Sequence, residues 1–223
     1  MQLVAESSGD GGGLITDYRD VFDDDLVSDD AQRYMALEQD AQDISSFQPD
    51  FVPGLLQSAE YTDAIIRLFS PDLTPQQRDR LVALRQERQE ILKRRPDSDD
   101  RFKLSVIVAE QGFLRSIGGS DVMRRQVERL TEGLTNGLSH VSFQVAPTDL
   151  VVPGVVGGPF SILRFADDQD QDVVYLEGRD SATYLETDEH VERYQAVFVK
   201  LAEECPSTEG SIALLKGVAR RLI

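Results

Sequence analysis

Between residues 96 and 102 the spacing of the apolar side chains changes from the period of a helix to that of a strand, which excludes an all-helical and an all-strand fold alike. Before this point Leu81, Leu84, Ile91 and Leu92 recur at helical spacing. They follow Thr74 and Pro75, a capping residue and a favoured first helical residue. After it, "RFKLSVIVAE" alternates Phe102, Leu104, Val106 and Val108, the pattern of a strand with one face buried.

The rest of the chain extends both periods. Tyr34, Leu37, Ala41 and Ile44 predict a helix that Pro49 ends, and a second helix covers 57–69 with Tyr61 and Ile65 on one face. Ser120 is expected to cap a helix carrying Met123, Val127, Leu130 and Leu134. Strands are predicted at "HVSFQVAP", at 160–165, and at "DVVYLEG" and "SATYLET", which a short turn joins. Helices over about 188–203 and 207–222 close the chain, the last one capped by Ser207. The expected fold is α+β: a small, mostly antiparallel sheet of about five strands packed with about six helices. Residues 1–30 read as an acidic, largely disordered tail and linker, and residues 31–223 as a single domain.

Composition narrows the setting. An apolar fraction of 40% over 223 residues is enough for a real core. No apolar run reaches the ~20 residues of a membrane span, and the N-terminus lacks the basic and apolar regions of a signal peptide. A lone cysteine, Cys205, allows no internal disulfide, so the expected compartment is the cytoplasm. The net charge of −17 argues against a surface that tracks nucleic-acid phosphates. That charge is uneven: residues 1–50 hold thirteen acidic and two basic groups, whereas 78–95 hold seven basic and three acidic ones. Arg88, Arg94 and Arg95 in the second stretch form a candidate charge patch for a partner, or an ordinary solvated helix face.

Catalytic signatures are sparse. Two histidines, His140 and His190, and one cysteine do not supply the ligand sets of structural zinc sites. No dinucleotide fingerprint, P-loop or nucleophile elbow occurs, so no metal and no cofactor is expected. If the chain is an enzyme, the candidates are Glu110 and Glu177, carboxylates at strand ends, with Tyr175 beside the second. The glycines of "SIGGSDV" precede a helix start, as anion sites do, but without a phosphate fingerprint or a nearby lysine plain capping is the preferred reading.

Two apolar Pro-Gly loops stand out instead. In "DFVPGLLQSAEY" the residues Phe51, Val52, Leu55, Leu56 and Tyr61 surround Pro53-Gly54, and in "VVPGVVGGPF" Val155, Val156 and Phe160 surround a second pair. Such loops either line a ligand or partner site or pack onto the domain, the first of them as the start of a helix.

Several segments, in order, resemble a known pattern. "YMALEQDAQDISSFQPDFVPGLLQSAEYTDAII" is similar to a Leu-Glu-x-x-Ala helix followed by a Val-Pro-Gly-Leu-Leu-Gln hallmark. "LRQERQEIL", "AEQGFLRSIGGSDVMRRQVERL", "VSFQVAP", "GPFSILRFAD" and "VVYLEG" follow in the matching sequence. The pattern is that of the C-terminal domain of WhiJ-like, antitoxin-like helix-turn-helix regulators of actinobacteria. The resemblance spans about residues 31–222. Two positions depart from it, Ala109 for an acidic residue and Ser58 for a threonine. Residues 1–30 are too short and too acidic for the helix-turn-helix, so no direct nucleic-acid binding is expected of this chain.

Three readings result. In the first, the chain is a regulatory domain that binds a small apolar molecule or a small partner protein. The second is a biosynthetic enzyme of cyclase or isomerase type on the same scaffold. The third is an interaction or homodimerisation module using the helix over 78–95.

Overall fold

A computed structural model describes residues 26–93, 102–166, 170–178 and 181–222. Of the expected tail and linker over residues 1–30, residues 1–25 lie outside the described residues, as do Arg94 and Arg95, and Asp29 and Asp30 already belong to the first helix.

The first helix, α1 (Asp29–Asp40), starts where Ser28 Oγ accepts the Ala31 N–H, and Asp29 and Asp30 lie in its first turn, where the helix dipole favours negative charge. It stops two turns sooner than its apolar spacing implied. Residues 43–48 instead form β1 (Asp43–Gln48), the strand in the middle of the sheet. Ala41 and Ile44 continue the helical spacing of α1 by coincidence. The two serines of "DISSFQ", both buried, hide the strand's apolar signal.

After a short 3-10 turn (Gly54–Leu56) come α2 (Ala59–Phe69) and α3 (Pro75–Arg88). The latter is opened by the expected Thr74 cap, here a reciprocal capping box with Gln77. Strand β2 (Lys103–Ala109) leads through α4 (Gln111–Leu114) to α5 (Ser120–Asn136). Ser120 is the first residue of α5, not its cap; the capping position is Gly119, whose φ of 90° suits glycine. The chain continues as β3 (Val141–Ala146), α6 (Pro153–Val156), β4 (Phe160–Arg164), β5 (Val173–Glu177) and β6 (Ala182–Leu185). Helices α7 (Asp188–Glu204) and α8 (Thr208–Arg221) complete it, with Ser207 capping α8.

The fold is α+β. Its sheet has six strands in the order β3-β2-β1-β4-β5-β6 rather than about five, and it is mixed. Strand β1 pairs parallel with β2, and β2 with β3, while the β1–β4, β4–β5 and β5–β6 pairs are antiparallel. Parallel pairing follows from the helices between those strands, since a parallel connection needs a long crossover.

Each face of the sheet buries its own core. Ile44, Leu104, Val106, Val108, Val141, Phe143 and Leu163 point to the side that holds α2, α5 and α8. Phe47, Ile107, Phe160, Ile162 and Val174 point to the side covered by α7, where Phe198 and Leu201 meet them. The β3 edge is protected by hydroxyls of α8: the Phe143 and Val145 N–H groups donate to Thr208 Oγ1 and Ser211 Oγ.

Candidate functional site

The Pro-Gly loop begins at Pro53, whose ring sets φ at −62° and so starts the turn. The Leu56 N–H then donates to the Pro53 carbonyl at 2.9 Å. Val52, Leu55 and Leu56 are buried beneath it. Three glutamines with almost no exposure hold the backbone of this loop. Gln57 Nε2 donates to the Val52 carbonyl at 2.6 Å, while its Oε1 accepts from Thr62 Oγ1 and from Arg85 Nη1. Gln89 Nε2 donates to the carbonyls of Gly54 and Gln57. Gln126 accepts the Ser58 N–H at 2.6 Å and donates to the Leu56 carbonyl at 2.9 Å. A loop that would otherwise bury unpaired carbonyls is thus fixed by side-chain amides.

Beneath the loop lies a chamber of about 220 Å³. Its floor is the first face of the sheet, with Ser46 and Gln48 of β1, Leu104 and Val106 of β2, Ser161 of β4, and Tyr175 and Glu177 of β5. One wall is α1 through Tyr34, Met35 and Glu38; another is α3 through Arg85 and Arg88. Phe51, Val52, Pro53, Gly54 and Leu55 form the roof.

The polar groups of the chamber are ordered. Ser46 Oγ and Ser161 Oγ lie 2.9 Å apart, and Gln48 Nε2 donates to Ser46 Oγ. Arg88 pairs with Glu38 through two hydrogen bonds. Tyr34 packs on Tyr175 at 4.4 Å, Tyr175 on Tyr184 at 5.2 Å, and Arg33 lies 4.0 Å over the Tyr184 ring. Burial, and then the Glu177 charge, push the Tyr175 hydroxyl far above its ordinary range. Burial, and then Glu38, do the same for Tyr34. Both therefore stay protonated at neutral pH and act as hydrogen-bonding groups, not bases. Burial, reinforced by the like charge of Arg88, pushes Arg85 down to about 10.

The structure separates the candidate residues. Phe51, Val52, Pro53, Leu55, Tyr175, Glu177 and Arg88 meet at the chamber. Leu56 and Tyr61 are core residues, Tyr61 with no exposure at all, so the loop is a helix start and a chamber roof at once. Val155 and Phe160 belong to the core on the opposite face of the sheet; the side chain of Val156 lies outside the described residues. Glu110 is remote from the chamber. It accepts from the Thr148 N–H and hydroxyl and from Arg221 at 3.3 Å, tying the end of β2 to α8. Arg88 faces inward, so it is no part of an outer charge patch.

The same holds for the other groups with chemistry. His190 Nδ1 lies 2.8 Å from the hydroxyl of Thr187, which caps α7. Cys205 is buried, and burial pushes its thiol up to about 11, far from a reactive thiolate. Among the described residues no group of three or more His, Cys, Asp or Glu is placed to hold a metal ion. No described helix is long and apolar enough to cross a membrane.

Sequence reasoning missed Arg85, Glu38, Tyr34, Ser46, Gln48 and Ser161. Arg85 was one charge among many in a basic helix, and the two serines carry no motif.

Over residues 31–217 the chain matches the family described as a domain of unknown function, DUF5753, and it belongs to that family. No curated protein and no solved structure matches it.

Proposed function

We propose that the chain is a ligand-sensing regulatory domain of the antitoxin-like type, and that the chamber beneath the Pro-Gly loop takes a small effector. The observation that carries this reading is the construction of the chamber. Its walls and floor come from α1, the loop, α3 and four strands, and its roof is held by buried amides as well as by apolar packing. A pre-formed recess with a few fixed polar groups among apolar ones is the usual form of a small-molecule site. Because the lining mixes serine, glutamine and arginine with valine, leucine and phenylalanine, the effector has a polar part as well as an apolar body.

Regulation would follow if the ligand adds contacts between α1 and α3, which face each other across the chamber, because a ligand shifts a conformational equilibrium only through differential contacts. The resemblance of the ordered motifs to WhiJ-like regulators of actinobacteria supports a role in transcriptional control. Within this reading, direct contact with DNA is not assigned to the described elements.

The enzyme reading receives less support. Glu110 stands apart from Tyr175 and Glu177, and Tyr175 is held protonated.

Native mass spectrometry of the protein purified from its own host tests the proposal. A retained small molecule should appear as added mass that is lost on unfolding. It should also be missing from Gly54→Leu, whose side chain would project toward Arg85 and Arg88. Added mass that persists unchanged in a folded Gly54→Leu protein would place the ligand elsewhere and sink the proposal.

A further inference from the structure

We propose that the chamber selects a small organic monoanion, a carboxylate with a compact apolar or aromatic body, and that Arg85 receives its charged group. The inference rests on the reading of the chamber as an effector site and adds the ligand's chemistry.

Two neighbouring cations of α3 are unequally paired. Arg88 is matched by Glu38, which takes two of its N–H groups in a nearly buried ion pair. Arg85 points into the same chamber, yet its direct partner is the neutral amide oxygen of Gln57 at 2.8 Å. Among the described residues no carboxylate lies within ion-pair distance of Arg85; Glu38 and Glu177 act on it only through space. A guanidinium has five N–H donors in a planar fork, so the one bond to Gln57 leaves most of that fork open to the chamber. The desolvation of Arg85 is reflected in its lowered pKa, which still leaves it charged at neutral pH. A desolvated cation with unspent donors favours an anion that can accept two parallel hydrogen bonds.

The charge balance of the chamber selects among anions. Arg85 and Arg88 supply two positive charges, and Glu38 and Glu177 two negative ones. Glu38 is committed to Arg88, whereas Glu177 is exposed and can turn to water. With Glu177 turned away, the remaining imbalance is a single positive charge. That suits a carboxylate and disfavours a phosphate dianion, which would leave an excess negative charge beside Glu38. The volume of about 220 Å³ equals that of about seven liquid waters, so the ligand is small. Glu177 is then a built-in competitor that keeps the empty site near neutrality.

The test is an NMR chemical-shift titration of the full chain with benzoate, benzamide and inorganic phosphate at millimolar concentration, with a thermal melt of each variant to establish that it folds. Benzoate should bind saturably and more tightly than benzamide or phosphate. Arg85→Gln should weaken benzoate about ten- to a hundredfold, the loss of a charged hydrogen-bonding partner. Glu177→Gln lies at an exposed position and leaves the fold intact; it should tighten benzoate by about threefold to tenfold through removal of a partly screened like charge. If Arg85→Gln does not fold, the response to Glu177→Gln still decides. Benzamide binding as tightly as benzoate, or benzoate insensitive to both substitutions, overturns the monoanion assignment while leaving the chamber a ligand site. Failure of every probe to perturb chamber residues overturns both.

Discussion

Arg88, at the last turn of α3, places its Nε and Nη2 on the two carboxylate oxygens of Glu38 in α1, at 2.8 and 3.0 Å. Side-chain exposure is 14% for Arg88 and 4% for Glu38, so this is a buried pair that joins two walls of the chamber. Breaking one partner of such a pair strands the other charge. Glu38→Gln should therefore cost about 3 to 5 kcal/mol in urea denaturation, and a Glu38→Leu, Arg88→Met double variant should recover most of that loss. A double variant that loses as much as the two single substitutions summed would show that the two charges are not coupled.

The Gln57 side chain serves three partners: the Val52 carbonyl, the Thr62 hydroxyl and Arg85. Gln57→Leu keeps the volume but leaves all three without it in a dry setting, and is expected to destabilise the fold by about 3 kcal/mol or more. Gln86 reaches the Gln57 carbonyl only at 3.4 Å, so Gln86→Ala should change stability by less than about 1 kcal/mol. Denaturant midpoints of the two variants check the contrast.

Glu110 ties β2 to α8, and its pKa carries that role. Burial alone would raise it, but the Thr148 N–H and hydroxyl and the Arg221 guanidinium outweigh burial and hold the carboxyl below its ordinary value. A depressed folded-state pKa contributes stability above the unfolded value, about 4.3, and that contribution is lost as the pH falls through the folded pKa. Glu110→Gln should thus be less stable than the parent protein at pH 7, with the gap closing below about pH 4. Thermal melts across that range measure it. A gap that widens on acidification would contradict the assigned role.

Gly112 in α4 lies against the chain that leads into the loop: an added Cβ would sit 3.1 Å from the Asp50 carbonyl carbon and 3.2 Å from its oxygen. Backbone cannot yield as a side-chain tip can. Gly112→Ala should cost about 1 to 3 kcal/mol by overpacking and should displace Phe51 at the chamber roof, visible as altered shifts of the Phe51 ring.

The fold class was legible because the two apolar periods are strong on either side of residue 100, and caps such as Thr74 and Ser207 lie where their residue types point. The central strand was not, because two of its buried residues are serines, and Ser46 meets Ser161 and the Phe160 carbonyl, partners that no local pattern contains. The loop at Pro53 was legible as an important apolar knot. Its union with Tyr175 and Glu177, and its separation from Val155 and Phe160, depend on strand order and on which face each residue takes. Alternation reveals that two residues share a strand face, but not which helix covers it. Arg85 escaped notice for a similar reason: among seven basic residues between 78 and 95, only tertiary structure distinguishes the inward one without a carboxylate partner.

The most direct measurement is methyl NMR of the protein titrated with small-molecule extract from its own host. Val52, Leu55, Leu104 and Val106 carry methyls at the chamber, whereas Val197 and Leu201 carry them on the opposite side of the sheet. Saturable shifts are expected in the first set, with the second set unchanged, and their loss is expected in Gly54→Leu. Shifts confined to the second set, or none in either, would contradict a ligand site at the chamber.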